Sequence, residues 1–85
     1  MAKIEMYSTP MCPYCIRAKA LLAEKGLAFK DFNVMINPGL RQEMEQRSGR
    51  RTVPQIFIDG QSIGGCDELF DLEALRELDA MLGLG

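Results

Sequence analysis

The chain has 85 residues, 47% of them hydrophobic and 26% charged, a composition that fits one small globular domain over 1–85 and excludes a disordered or collagen-like polymer. Ten Lys and Arg against twelve Asp and Glu leave a net charge of -2, the wrong balance for a phosphate-binding surface, so nucleic acid is not an expected partner. The absence of His excludes Ser–His and Cys–His couples, a His general base and any His-ligated metal.

Lys3 to Ser8 alternates polar and apolar through Ile4 and Met6, the period-two pattern of a first strand. Ser8, Thr9 and Pro10 break it. Pro13 then opens a helix that runs to Lys25, with Ile16, Ala20 and Leu21 at helical spacing and Gly26 as its stop. Leu27 to Val34, carrying Phe29 and Phe32, reads as a second strand, and Asn37-Pro38-Gly39 as a turn. Leu40 to Ser48 is a polar helix capped by Gly49, with Leu40 and Met44 as its one i, i+4 apolar pair, and is expected to lie across the sheet with little burial. Gln55–Ile58 and Gln61–Ile63 flank Asp59-Gly60, a hairpin signal that makes them antiparallel strands three and four. After Gly64 and Gly65, Asp67 is placed to cap a last helix through Leu69, Phe70, Leu72, Leu75, Leu78 and Leu82, with a break near Asp71.

The resulting order is βαβαββα. A helix between the first two strands favours a parallel pair joined by a right-handed crossover, so an α/β fold is expected, with a four-stranded mixed sheet flanked by helices. The opening MAKIEMYSTP lacks the apolar segment of an export signal, and no apolar run approaches the roughly 20 residues needed to span a bilayer. The expectation is a cytoplasmic chain with no membrane partner, in a compartment that keeps thiols reduced.

Three cysteines are too few for a disulfide framework, so their placement carries the information. Cys12-Pro13-Tyr14-Cys15 lies where the first strand hands over to the first helix. A cysteine at a helix N-cap faces unpaired backbone N–H groups and the positive end of the helix dipole, both of which favour thiolate over thiol. Cys12 is therefore the expected nucleophile. Pro13 suits the first helical position, where its missing N–H has no helical partner. Cys15, three residues on, shares the helix face with Cys12 and is expected to be the more buried, resolving thiol. A structural zinc site wants four ligands, and Cys66 is the one further thiol, so no metal is expected. Cys66 reads as a small buried residue without a catalytic role.

Three separated motifs give the sequence a family likeness. CPYC at 12–15, TVPQIFIDG at 52–60 and GGCDEL at 64–69 stand in the order found in glutaredoxins, and the chain resembles the small bacterial dithiol type over nearly its whole length. The resemblance implies a thioredoxin fold and a glutathione-dependent thiol–disulfide oxidoreductase. Its substrates are then protein disulfides and glutathione mixed disulfides, with no tightly bound cofactor and glutathione as reducing co-substrate. Glutathione reductase enters only indirectly, by regenerating glutathione, and nothing demands more than a monomer.

The other two motifs also have a physical reading. Val53 precedes a proline and is pushed toward an extended backbone, while Pro54 opens the third strand where no N–H is donated. By resemblance Pro54 is cis and faces the cysteine pair, and Thr52, Val53 and Pro54 border glutathione, with the Val53 backbone pairing to its cysteine. Gly64-Gly65-Cys66-Asp67 precedes a helix whose bare N–H groups suit a carboxylate. By similarity Gly65, Cys66 and Asp67 hold the γ-glutamyl end, the Asp67 carboxylate facing the ammonium, and Tyr14 walls the groove. One departure stands out: many glutaredoxins carry Lys three residues before the first cysteine, where this chain has Thr9. Arg41, Arg50 and Arg51 are candidates to supply the missing charge, Arg51 first because it abuts Thr52. Two alternative functions remain at this point: a redoxin fed by thioredoxin reductase, and a glutathione-ligated iron–sulfur cluster carrier.

Overall fold

The computed structural model describes residues 2–84. Strand β1 (Ile4–Ser8) leads to helix α1 (Pro13–Glu24), strand β2 (Lys30–Asn33), helix α2 (Pro38–Ser48), the hairpin β3 (Gln55–Ile58) and β4 (Gln61–Gly64), and helices α3 (Cys66–Ala74) and α4 (Leu78–Met81). The strands form one sheet in the order β2-β1-β3-β4, with β1 parallel to β2 and antiparallel to β3. The expected mixed sheet is what folds.

All five residues of β1 are buried, because both faces of this strand are covered. Ile4 and Met6 point to a core built with Ala18, Leu21 and Leu22 of α1, Ile56 and Ile58 of β3, and Leu69, Leu78 and Leu82 beyond. The opposite face carries Tyr7, Phe57, Val34 and Met44, the last from α2. Glu5 shares that face, and its carboxylate accepts from both Nη atoms of Arg47, at 3.1 and 3.4 Å. The Arg47 guanidinium also lies 4.1 Å from the Phe57 ring centroid and donates to the Tyr7 hydroxyl at 2.8 Å. Tyr7 in turn donates to Glu43 at 2.7 Å. These contacts hold α2 to the sheet through a nearly polar helix whose one fully buried apolar residue is Met44.

Several boundaries differ from the sequence expectation for local reasons. The buried face of α1 is Cys15, Ala18, Leu21 and Leu22, so Ile16 and Ala20 turn outward. Leu27–Phe29 is a connector: Gly26 adopts φ +72° and the Leu27 N–H bonds back to Leu22, so the chain reverses before β2 begins. The expected turn at Asn37 is the cap and first turn of α2, since the Asn37 side chain accepts from the Gly39 N–H at 3.0 Å and Pro38 takes the first helical position. Gly65, not Asp67, caps α3, because Glu68 reaches back to the Gly65 N–H at 2.6 Å. The last helix breaks at Leu75–Glu77 rather than near Asp71, where Arg76 takes φ +61° and the Glu77 N–H returns to Leu72. That break lets α4 fold back so that Lys25 Nζ meets both Glu73 at 2.8 Å and Asp79 at 2.6 Å.

The Asp59-Gly60 hairpin forms as expected, with φ +52° and +82°, the pair of positive angles that a two-residue turn of this hand requires.

The Arg47 hydrogen bonds hold the Glu5 carboxyl below the usual carboxylate range, against the upward push of burial. Because this folded-state pKa is depressed, the pair stabilises above the unfolded carboxylate range and its contribution is lost as pH falls through the lowered value. Arg47→Leu is therefore expected to cost about 2 to 4 kcal/mol at pH 7, by stranding a buried charge. The deficit relative to the parent chain should shrink at an acid pH, as the pH falls through the lowered Glu5 value and the parent's carboxylate takes up its proton. Urea unfolding at the two pH values checks this, and a deficit that does not change with pH would contradict it.

Candidate active site

Cys12 is the N-cap of α1, with φ -86° and ψ 117°, and sits in the short loop that leaves the buried end of β1. Pro13 occupies the first helical position, as its fixed φ favours. The cap is the sulfur itself: the Cys15 N–H donates to Cys12 Sγ at 3.3 Å. The Ile16 N–H donates to the Cys12 carbonyl at 3.0 Å and closes the first turn. On its other side Cys12 Sγ donates to the Val53 carbonyl at 3.8 Å, so the loop before β3 faces the helix start. The Val53–Pro54 peptide is cis.

The two cysteines of the pair occupy different environments. Cys12 is partly exposed at the mouth, whereas Cys15 is fully buried, and all three cysteines are free thiols. Burial and the neighbouring Cys12 sulfur push the Cys15 thiol up to about 11. Burial likewise raises Cys66 above the ordinary thiol value. Both hold their protons at neutral pH.

Beside Cys12 lies an open groove of about 220 Å³. Tyr14 forms its wall on α1, Thr52, Val53 and Pro54 its floor on the loop entering β3, and Gly65, Cys66 and Asp67 its far end at the start of α3. All seven residues that the sequence marked for this role thus border one groove. Two more join them, Arg50 and Glu68. Glu68 Oε1 accepts from Arg50 Nη1 at 2.8 Å while it also holds the Gly65 N–H. The Gly65 N–H and the Arg50 guanidinium together lower the Glu68 pKa, so Glu68 stays charged at neutral pH. A Cβ on Gly64, which adopts φ +110°, would meet the Glu68 side chain at 2.5 Å, so this glycine is needed for the pairing to fit.

The sequence ranking of the basic residues changes accordingly. Arg51 is almost fully exposed and faces Glu45 at 3.6 Å, and Arg41 donates to the Arg51 carbonyl at 2.9 Å, so neither lines the groove. Arg50 does, held there by Glu68, a residue that carries no motif signal beyond its place three residues past the cap. Asp67 lies in the first turn of α3 with its side chain exposed. Among the described residues, no three His, Cys, Asp or Glu side chains gather to hold a metal ion, and no helix is long and apolar enough to cross a membrane.

The glutaredoxin family model matches residues 4–63, most of the strand and helix framework that builds this site. The chain belongs to the glutaredoxin family. It is 55% identical to Glutaredoxin 3 of Escherichia coli strain K12 over 82 residues, 96% of this chain and 99% of that protein. The solution structure of a glutaredoxin from Brucella melitensis, 50% identical, superposes with a TM-score of 0.85 over 100% of this chain and 92% of its own. A crystal structure of a buckwheat glutaredoxin–glutathione complex, 29% identical, gives 0.89 over 96% of this chain and 77% of its own. The fold is thus a thioredoxin fold of glutaredoxin type, and the protein is a thiol–disulfide oxidoreductase.

The difference in burial is directly measurable. Brief alkylation at pH 7.5 with iodoacetamide, mapped by mass spectrometry, is expected to label Cys12 and leave Cys15 and Cys66 unmodified in the folded chain. In a Cys12→Ser variant, Cys15 labelling should stay slow at neutral pH and rise only in the alkaline range, because burial still holds its thiol above the ordinary value. Labelling of Cys15 at neutral pH as fast as that of Cys12 would contradict this assignment.

Proposed function

We propose that this protein is a glutathione-dependent oxidoreductase that reduces glutathione mixed disulfides and protein disulfides, with Cys12 as nucleophile and Cys15 as resolving thiol. The observation that carries the reading is convergence: three chain segments far apart in sequence border one groove, and the partly exposed sulfur of Cys12 stands beside it. The buckwheat relative, whose structure is a complex with glutathione, supports the same ligand here.

In the first reaction the Cys12 thiolate attacks the glutathione sulfur of a mixed disulfide. A Cys12–glutathione disulfide forms and the other thiol leaves, taking up a proton. A second glutathione thiolate then attacks the bound glutathione sulfur, which releases oxidised glutathione and returns Cys12. The N–H of Cys15 directed at the Cys12 sulfur suits a site where negative charge comes and goes. For a protein disulfide, Cys12 attacks first and one protein thiol leaves. Cys15 then displaces the second protein sulfur, its proton passing to that departing thiolate, and a Cys12–Cys15 disulfide remains. Two glutathiones reduce it and leave as oxidised glutathione. The proton held by the buried Cys15 keeps it from competing in the first step.

The groove residues divide the ligand between them. The Val53 backbone pairs with the cysteine of glutathione beside Thr52 and the turn at Pro54, and Tyr14 covers the sulfur. The N–H groups of Cys66 and Asp67, with Gly65 permitting close approach, receive the γ-glutamyl carboxylate, and the Asp67 carboxylate faces its ammonium. Arg50 supplies a cation that Thr9 does not offer, held by Glu68 beside the Gly65 N–H at the edge of the groove. The cytoplasm, which keeps thiols reduced, suits this cycle.

The test is turnover of a hydroxyethyl mixed disulfide of glutathione, coupled to glutathione reductase and read as NADPH consumption. Cys12→Ser is expected to abolish turnover and Cys15→Ser to retain it, while reduction of a protein disulfide is lost in both. Arg50→Ala is expected to raise KM for glutathione substrates about fivefold with little change in kcat, the loss of one partly exposed ionic contact. Equal loss of mixed-disulfide turnover in both cysteine variants would overturn the roles, and an unchanged KM in Arg50→Ala would remove Arg50 from the site.

A further inference from the structure

Seven large apolar side chains stand exposed among the described residues, and five of them, Met11, Tyr14, Ile16, Met35 and Ile36, lie at the end of the sheet that carries Cys12. Tyr14 belongs to the groove. Met11, Met35 and Ile36 do not, and they are among the most exposed, at 83%, 60% and 78%. Large apolar side chains exposed together at one end of a small chain mark a contact site.

Their position follows from strand pairing. Ser8 of β1 stands opposite Asn33 of β2 in a parallel pair, and the Val34 N–H donates to the Ser8 carbonyl at 3.0 Å. The two strands therefore release their next residues side by side: Thr9 to Cys12 from one, Met35 to Asn37 from the other. Hydrogen bonds hold the second segment. The Met35 N–H donates to Asn33 Oδ1 at 2.9 Å, and Asn37 caps α2. With Val34 buried below, this turn presents Met35 and Ile36 outward.

The sheet order β2-β1-β3-β4 puts this ledge and the groove on opposite sides of Cys12. A mixed disulfide has two halves. If glutathione fills the groove on the β3 side, as proposed above and as this inference assumes, the other half extends over the β2 side. The electrostatics there favour one kind of partner. Helices α1 and α2 both begin at this end with no acidic residue in their first turns, leaving their positive ends uncompensated, and Arg41 stands nearby beside Arg51, whose guanidinium faces Glu45 at 3.6 Å. At the far end Glu73 and Asp79 gather around Lys25.

We propose that Met11, Met35 and Ile36 form a docking ledge for the polypeptide half of an oxidised protein substrate, and that the segment it takes carries apolar and acidic residues around its cysteine. The two methionines suit such a role, since flexible thioethers adapt to different apolar partners.

The test compares two substrates in Met35→Ser/Ile36→Ser, a double change confined to exposed side chains. One substrate is a glutathionylated peptide with its cysteine between leucine and glutamate residues, and the other is the hydroxyethyl mixed disulfide of glutathione. The variant is expected to lose about tenfold in kcat/KM for the peptide and to keep that for the small disulfide, and replacing the glutamates by lysines should slow the wild-type chain. Equal rates with the peptide, or equal losses with both substrates, would overturn the ledge. A second arm is independent of glutathione: the same peptide with serine for cysteine is titrated into the isotope-labelled chain. Shifts at the amides of Met11, Met35 and Ile36 support the ledge even if the small disulfide is not turned over, and their absence overturns it.

Discussion

β1 has no freedom to move, and the chemistry at its end depends on that. Like β3, it is covered on both faces and paired along both edges, so any shift would open two cores and two ladders together. The charged member of this strand is Glu5, which would be costly to bury alone and is held by Arg47 from α2. Arg47 also spans the rings of Tyr7 and Phe57, so one guanidinium ties a charged residue, two aromatic rings and a mostly polar helix into a single layer. The loop that carries Cys12 therefore begins from a fixed point. So does the loop ending at Pro54, which feeds the strand paired with β1.

The features legible in the sequence are those decided by a few neighbouring residues. The cysteine pair on a strand-to-helix junction, Pro13 at the first helical position and Asp59-Gly60 in its hairpin all need only local backbone preferences, and the motifs around Pro54 and Gly65 added the groove. What sequence reading missed was set at long range. Ile16 and Ala20 look like a buried helix stripe until the sheet fixes the rotation of α1 and selects Cys15, Ala18 and Leu22 instead. Leu27 and Phe29 look like strand because they are apolar, yet they pack on the core as a connector after Gly26 reverses the chain. Asp67 has the chemistry of a cap, but Gly65 takes the position because Glu68 satisfies its N–H and Arg50 at once. That contact joins residues 18 apart, and adjacency to Thr52 therefore pointed to Arg51 instead.

The Arg50–Glu68 pair also shows how a groove can keep its charges without spending them. Both side chains are about half exposed, so their mutual attraction contributes little to stability. Its value lies in geometry. Glu68 is fixed by the Gly65 N–H, which leaves Arg50 in one place at the groove edge rather than free in solvent. In the glutathione complex proposed above, an exposed lysine at position 9 would have to be ordered at each binding event, whereas an arginine already ordered by a carboxylate has lost that entropy beforehand.

The order of the two cysteines follows from the same geometry. A residue at the N-cap lies outside the helical turn, with its side chain free to face both the solvent and the backbone N–H groups of the next turn. A residue three positions later is inside the helix, and on this face it points at the core. Cys12 can therefore be reached by a second disulfide and can receive the Cys15 N–H, while Cys15 can be reached by little except Cys12. In the cycle proposed above, exchanging their environments would put the attacking sulfur in the core, out of reach of a substrate. A single helix start thus gives two chemically identical side chains unequal exposure, and the difference arises from burial and backbone direction.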